Sequence, residues 1–295
     1  MALLDSWEGR LGIAEWEPQI MTICIAAICD GGHAIALCAD REVGIQITSG
    51  ELVGKFLPLF GDHGWHKEWA IGIAGTATNA TDVIAAVRRK KLASFASYDV
   101  RGAVERGYRE ARMARAEALH LANRGWTLKE FNSVGAEKMS ASTYAQVDAR
   151  IAAYDYNTDL IFAGFGDEDI GPSIMSVTNP GVSTDHTVLG FWCVGSGSPA
   201  AQVSLFNRDY SWNLPPEQAA YYLYEAKVAA EKATGVGRSK TDIHLMRKSG
   251  MPISLRDSLE VMKKIHDRLK PKSFEKKHFE VLRATGDFTA FSKTS

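Results

Sequence analysis

A hydroxyl and a carboxylate bound the first region that could do chemistry. Thr22 opens one apolar run, Thr22 to Cys29, and Asp40 closes a second, His33 to Asp40, with Asp30-Gly31-Gly32 between them. Two apolar runs about an Asp-Gly-Gly turn are a β-hairpin signature. Antiparallel pairing brings the start of the first run to the end of the second, so Thr22 and Asp40 meet in space. Register sets which faces they share. A three-residue loop, Asp30 to Gly32, puts Thr22 opposite Asp40, whereas a two-residue loop puts Arg41 there instead. The odd-length loop is the expectation. A Thr at a strand start and an Asp at a strand end are each ordinary alone. Near neutral pH a hydroxyl also needs an adjacent base to act as a nucleophile.

The elements that must position these groups follow from periodicity. Val43 to Ile47 and Lys55 to Phe60 read as short strands around Thr48-Ser49-Gly50, with Pro58 marking an edge or a strand end. Trp69 to Gly75 is an apolar strand feeding a helix near 79–92, where Ala80, Val83, Ile84 and Val87 recur at helical spacing. Thr78 or Asn79 can cap that helix, and Arg88 to Lys91 suit its last turn. A longer helix spans 99–122 with the stripe Val100, Val104, Tyr108, Ala111, Ala118, Leu119 and Ala122.

The second half gives strands first and helices afterwards. Ala149 to Tyr154, Leu160 to Phe165, Ser173 to Val177 and Phe191 to Val194 read as strands, and Ala200 to Leu205 begins a helix. Pro215 and Pro216 enter a helix near 216–233 with Gly235 at its exit. Thr241 to Met246 is one more strand. Ser254 and Asp257 form a capping-box pattern for a helix that stops before Pro271, and the polar stretch Lys272 to Ser295 is expected to pack loosely.

Composition narrows the function classes. The chain has 295 residues, 45% of them hydrophobic, and a formal net charge of -1 from 34 basic and 35 acidic residues. That balance offers no electrostatic footprint for nucleic acid or an anionic membrane. No apolar run approaches the roughly 18 residues of a membrane-spanning helix, and Met1 to Ile20 carries five charged residues without a basic leader or an apolar core. Cys24, Cys29, Cys38 and Cys193 lie inside apolar runs and not at metal or disulfide spacings, which suits reduced thiols in a cytoplasmic protein. No metal or other cofactor is called for.

Strands that are apolar on both faces need cover on both faces. Two stacked sheets with helices outside them meet that need as α-β-β-α. Composition alone does not reach this architecture; a resemblance does. Met21-Thr22-Ile23-Cys24, Ala39-Asp40-Arg41, Lys55-Phe56, Ile73-Ala74-Gly75 and Val194-Gly195-Ser196-Gly197-Ser198-Pro199, in that order, resemble proteasome β-type subunits and their bacterial Anbu-type relatives. The likeness runs from Thr22 to about Leu245, or about three quarters of the chain. It implies an α+β fold, a four-layer α-β-β-α sandwich of two antiparallel sheets of the Ntn-hydrolase kind. Residues 22–250 would form this domain, 1–21 an N-terminal extension that is absent or removed, and 251–295 a C-terminal helix and polar tail.

The resemblance also implies a site. Thr22 would be the nucleophile, with its own α-amine, whose reference pKa is about 7.7–8.0, moving the proton. Lys55 beside the hydroxyl would favour alkoxide character, and Asp40 would hold that lysine. Gly75 would present its N–H to the developing oxyanion, and Ser196 would support the amine. The late Asp of that family has no counterpart in Lys232 to Lys240, where Thr234 or Ser239 are the nearest substitutes. Two functions stay open: a threonine hydrolase of peptide or other amide bonds, and a non-catalytic ring subunit with a structural or assembly role. Either implies a homo-oligomeric ring; the enzyme implies peptide or unfolded-protein substrates, and any unfoldase is unspecified. Met21 ahead of Thr22 is what methionine trimming accepts, so the functional chain is expected to start at Met21, with Met1 to Ile20 outside the fold.

Overall fold

The computed structural model describes residues 22–40, 55–60, 69–90, 92–166, 171–232, 240–248, 252–269 and 276–288. Expectations on Met1 to Met21, Val43 to Ile47, Thr234, Gly235, Ser239 and Pro271 lie outside the described residues. In chain order the elements are β1 (Cys24–Cys29), β2 (Ala34–Asp40), β3 (Phe56–Pro58), β4 (Trp69–Gly75), α1 (Ala77–Arg88), α2 (Ser97–His120), α3 (Leu128–Lys138) and α4 (Ala141–Ala152). They continue with β5 (Thr158–Phe165), β6 (Pro172–Thr178), β7 (Val182–Asp185), β8 (Phe191–Val194), α5 (Ser198–Phe206), α6 (Pro216–Lys232), β9 (Thr241–Arg247), β10 (Ile253–Ser254), α7 (Arg256–Leu269) and α8 (Lys276–Arg283).

Among the described residues the strands form two five-stranded antiparallel sheets, ordered β10-β9-β2-β1-β8 and β3-β4-β5-β6-β7. Every residue of β1 and β2 is buried. Alternation explains why both faces are apolar. Cys24, Ala26 and Ile28 face inward onto the second sheet's Ala70, Ile161, Ala163 and Ile174. Ile23, Ile25 and Ala27 face outward beneath Ala219, Leu223 and Ala226 of α6. Val83 and Val87 of α1 and Val100 and Val104 of α2 cover the other side of the second sheet. The four layers are therefore α-β-β-α, with α6 outside the first sheet and α1 and α2 outside the second.

Trp69–Gly75 and Phe191–Val194 have the predicted strand limits, and Pro58 is the last residue of an edge strand. Other details differ. The β1–β2 ladder pairs Cys29 with Ala34 and Cys24 with Ala39, leaving a four-residue loop, Asp30 to His33. The odd-length loop is thus overturned, because His33 joins the turn, where its N–H bonds Asp30 O at 3.1 Å. Thr76, not Thr78 or Asn79, precedes the first turn of α1. Ala118 and Leu119 of α2 are exposed; the buried positions after Ala111 are Arg112 and Ala116, since the face drifts around a long helix.

Ala149 to Ala152 is helical, the end of α4, and not a strand. Ser140 caps α4 by accepting from Thr143 N at 3.2 Å, and the Arg112 guanidinium takes the carbonyls of Ile151, Ala152 and Tyr154 at the other end. α3 begins in a complete capping box, Thr127 with Glu130. At α7 the expected box fails. Ser254 lies in β10 with its hydroxyl buried and without a partner among the described residues, while Asp287 Oδ2 accepts from Ser258 N at 3.0 Å and Ser258 Oγ at 2.9 Å. The carboxylate comes from the stretch expected to be loose. There α8 forms, and Leu282 and Phe288 are buried against the α6 layer.

Candidate active site

The site lies where β1 begins and β2 ends. The observed register sets Ile23, not Thr22, opposite the last residue of β2: Asp40 N bonds Ile23 O at 3.3 Å. By alternation Asp40 shares a face with Ile23 and not with Thr22. Its carboxylate nevertheless reaches the strand start, where Oδ1 accepts the Ile23 N–H at 2.9 Å. Oδ1 also accepts from Lys55 Nζ at 2.6 Å, and Nζ donates to Thr22 Oγ1 at 3.2 Å. A lysine at the entrance to β3 thus bridges what register alone separates.

The three groups are buried, and the Lys55 and Asp40 side chains retain only 6% and 1% of their exposure. The ion pair is therefore shielded from the solvent that weakens surface pairs. Directly inside it Cys24 is fully buried, and its Sγ donates to Ile73 O at 3.2 Å. Burial pushes the Cys24 thiol up to about 12, opposed by the nearby Lys55 charge. It stays a neutral thiol beneath the lysine.

Gly75 and Ser196 sit on backbone packed beside this chain of bonds without joining it. β8 pairs with β1 as far as Cys24 and Val194, and the glycine after Val194 then closes on Thr22. A Cβ on Gly195 would stand 2.1 Å from Thr22 O and 3.3 Å from Ala74 Cβ, and its φ is +104°. Only glycine permits that approach. Gly195 belongs to the Gly-Ser-Gly motif in which the resemblance gives a role to Ser196, yet it is the glycine that makes the close approach to Thr22. Ser196 itself is exposed.

Gly75 ends β4 with φ +89°, and a Cβ there would meet Asn157 O at 2.4 Å. Ile73 N donates to Lys55 O at 3.2 Å, on the β3 side. Since amides alternate along an antiparallel strand, the Gly75 N–H points to that same side, the side of Lys55. Among the described residues no group of three or more His, Cys, Asp or Glu could hold a metal, and no helix is long and apolar enough to cross a membrane.

No protein-family model and no curated protein matches the chain. Among solved structures it is similar to Anbu (ancestral beta-subunit) from Yersinia bercovieri, with a TM-score of 0.56 and 14% identity, over 83% of this chain and 92% of that one. The two five-stranded sheets and their outer helices therefore have the fold of this proteasome-like ancestral β-subunit.

Proposed function

We propose that the chain is an N-terminal threonine hydrolase that cleaves peptide bonds through an acyl-enzyme. The observation that supports this reading best is the buried Lys55 ammonium held between Asp40 Oδ1 and Thr22 Oγ1. A cation in that place favours the deprotonated hydroxyl, and a desolvated setting strengthens the effect. Thr22 Oγ1 attacks the substrate carbonyl carbon, and its proton passes to the free α-amine of Thr22. The Gly75 N–H receives the developing oxyanion. Collapse breaks the C–N bond, the leaving amine takes the proton, and water then hydrolyses the ester to regenerate Thr22.

This route needs a free amine at Thr22. Methionine removal from a chain that starts at Met21 supplies it without self-cleavage, which would require a tight turn poorly suited to Met21. Protein purified from its native host should have Thr22 as its first residue by N-terminal sequencing and should hydrolyse a fluorogenic peptide amide. Thr22→Ala should remove that activity with the circular dichroism unchanged. Mature wild-type protein without amidase activity would overturn the proposal.

A second reading, a ring subunit with an assembly role and no catalysis, draws on the lack of any Asp from Ala233 to Ser239. A native chain that retains Met1 would favour it. Under both readings the protein works in the cytoplasm as a homo-oligomer. Light scattering tests this, and a monomer at micromolar concentration would contradict it.

A further inference from the structure

The Gly75 turn is gripped by side chains that have no part in the bond-making scheme. Asn157 adopts φ +47°, with its N–H taken by Asp155 Oδ1 at 2.8 Å. Its carbonyl accepts the Thr76 N–H at 2.9 Å, on the far side of Gly75. Thr158 Oγ1 lies 3.3 Å from Thr76 O, and Tyr108 OH donates to Thr158 O at 2.7 Å. One turn into α1, Asn79 Nδ2 donates to Tyr156 O at 2.6 Å and Tyr156 OH donates back to Asn79 O at 3.0 Å. Asn79, Tyr156, Thr158 and Tyr108 are all buried.

Packing does not call for this much polarity. Buried hydroxyls and amides add little net stability over apolar groups of similar shape, but their geometry is directional. A reciprocal pair fixes both the distance and the rotation between the segment that leads through Tyr156 and Asn157 into β5 and the first turn of α1. Gly75 lies between these two anchors, and as a glycine at positive φ it has no side chain to hold its own orientation.

We propose that Asn79 and Tyr156 are positioning residues for the Gly75 amide, acting through Asn157 and Thr76. This rests on the hydrolase reading above. The pair holds the N–H at the angle that suits a tetrahedral oxyanion, so its loss should slow the chemical step and leave ground-state binding alone.

The test compares wild type, Tyr156→Phe and Asn79→Ala in protein whose N-terminus is Thr22, with active sites counted by titration. Readouts are kcat and KM for a fluorogenic peptide amide, and the affinity of a tri-leucine peptide aldehyde, whose adduct with a threonine hydroxyl bears an oxyanion. Tyr156→Phe removes one oxygen and keeps the ring in place. It should lower kcat about tenfold with KM unchanged and weaken the aldehyde by a similar factor, since small misplacements of catalytic groups are costly. Asn79→Ala should do the same or more. Variants that melt earlier yet keep wild-type kcat and aldehyde affinity per active site would show a purely structural pair and overturn this inference while leaving the hydrolase intact. Wild type that neither cleaves the amide nor binds the aldehyde would overturn both.

Discussion

Lys55 Nζ lies 2.6 Å from Asp40 Oδ1, and the bonding on that carboxylate is one-sided. Oδ1 takes both the ammonium and the Ile23 N–H, whereas Oδ2 is buried without a partner among the described residues. A carboxylate so placed depends on its lysine. Lys55→Ala should therefore destabilise the protein by about 3–5 kcal/mol, the usual result of leaving one buried charge uncompensated. The double variant Lys55→Met with Asp40→Asn should recover most of that stability and none of the hydrolysis. Urea unfolding checks this, and an unchanged midpoint for Lys55→Ala would mean that water reaches the carboxylate.

Two glycines at positive φ separate conformational strain from steric conflict. Gly125, at φ +71°, has open space around its would-be Cβ, whereas Gly75 would collide with Asn157. Gly125→Ala should cost about 1 kcal/mol, the left-handed penalty alone. Gly75→Ala adds overpacking and should cost about 3 kcal/mol in total. Equal losses for the two would show that the Asn157 contact gives way freely.

Away from the site, His186 is buried, stacked on Trp192 with ring centroids 3.7 Å apart, and bonded through Nε2 to Ser176 Oγ at 2.8 Å. Burial lowers its pKa from 6.5 to about 4, against the opposing charge of Asp185. Below pH 6.5 the unfolded chain takes up a proton that the folded chain refuses until about pH 4. Stability should thus fall as pH drops through that window and level off beneath it. His186→Asn should remove this component, by about 3 kcal/mol between the two limits. A wild-type-minus-variant difference that is flat with pH would contradict the assignment.

All four cysteines are buried and unbridged, and burial raises each thiol above its ordinary range. Since the thiolate is the reactive form, a maleimide reagent at pH 7 should label none of them in the folded protein and all four in guanidinium, as read by intact mass. Rapid labelling of the native chain at Cys24 would show that the floor beneath Lys55 opens.

Much of the fold was legible in the chain because local chemistry and burial agree there. β4 is an apolar run that ends at Gly75, β8 is one set between Gly190 and Gly195, and the helix of Ala219 and Leu223 begins at paired prolines, so period and punctuation pointed the same way. The order of the short motifs likewise pointed to Thr22, Asp40 and Lys55, which hydrogen bonds join where β1 begins and β2 ends. The register of the first hairpin was not legible. Its loop length turns on whether His33 joins the turn, a difference of one residue that moves every side chain to the other face.

Tertiary structure alone decided how Asp40 meets Thr22. The parity of β1 and β2 separates them, and a lysine 15 residues after Asp40 reconnects them through space. It also decided α4, where Arg112 from α2 gathers carbonyls at the helix end, and α7, whose cap is Asp287 from 29 residues beyond Ser258. The backbone contacts of Gly75 with Asn157 and of Gly195 with Thr22 belong to the same class. Each joins groups far apart in the chain, so no window of sequence holds both partners. The sequence by itself determined which residues are apolar, small or charged and where turns fall; packing determined which distant partners satisfy the buried polar groups, because such groups must find one wherever the fold brings it.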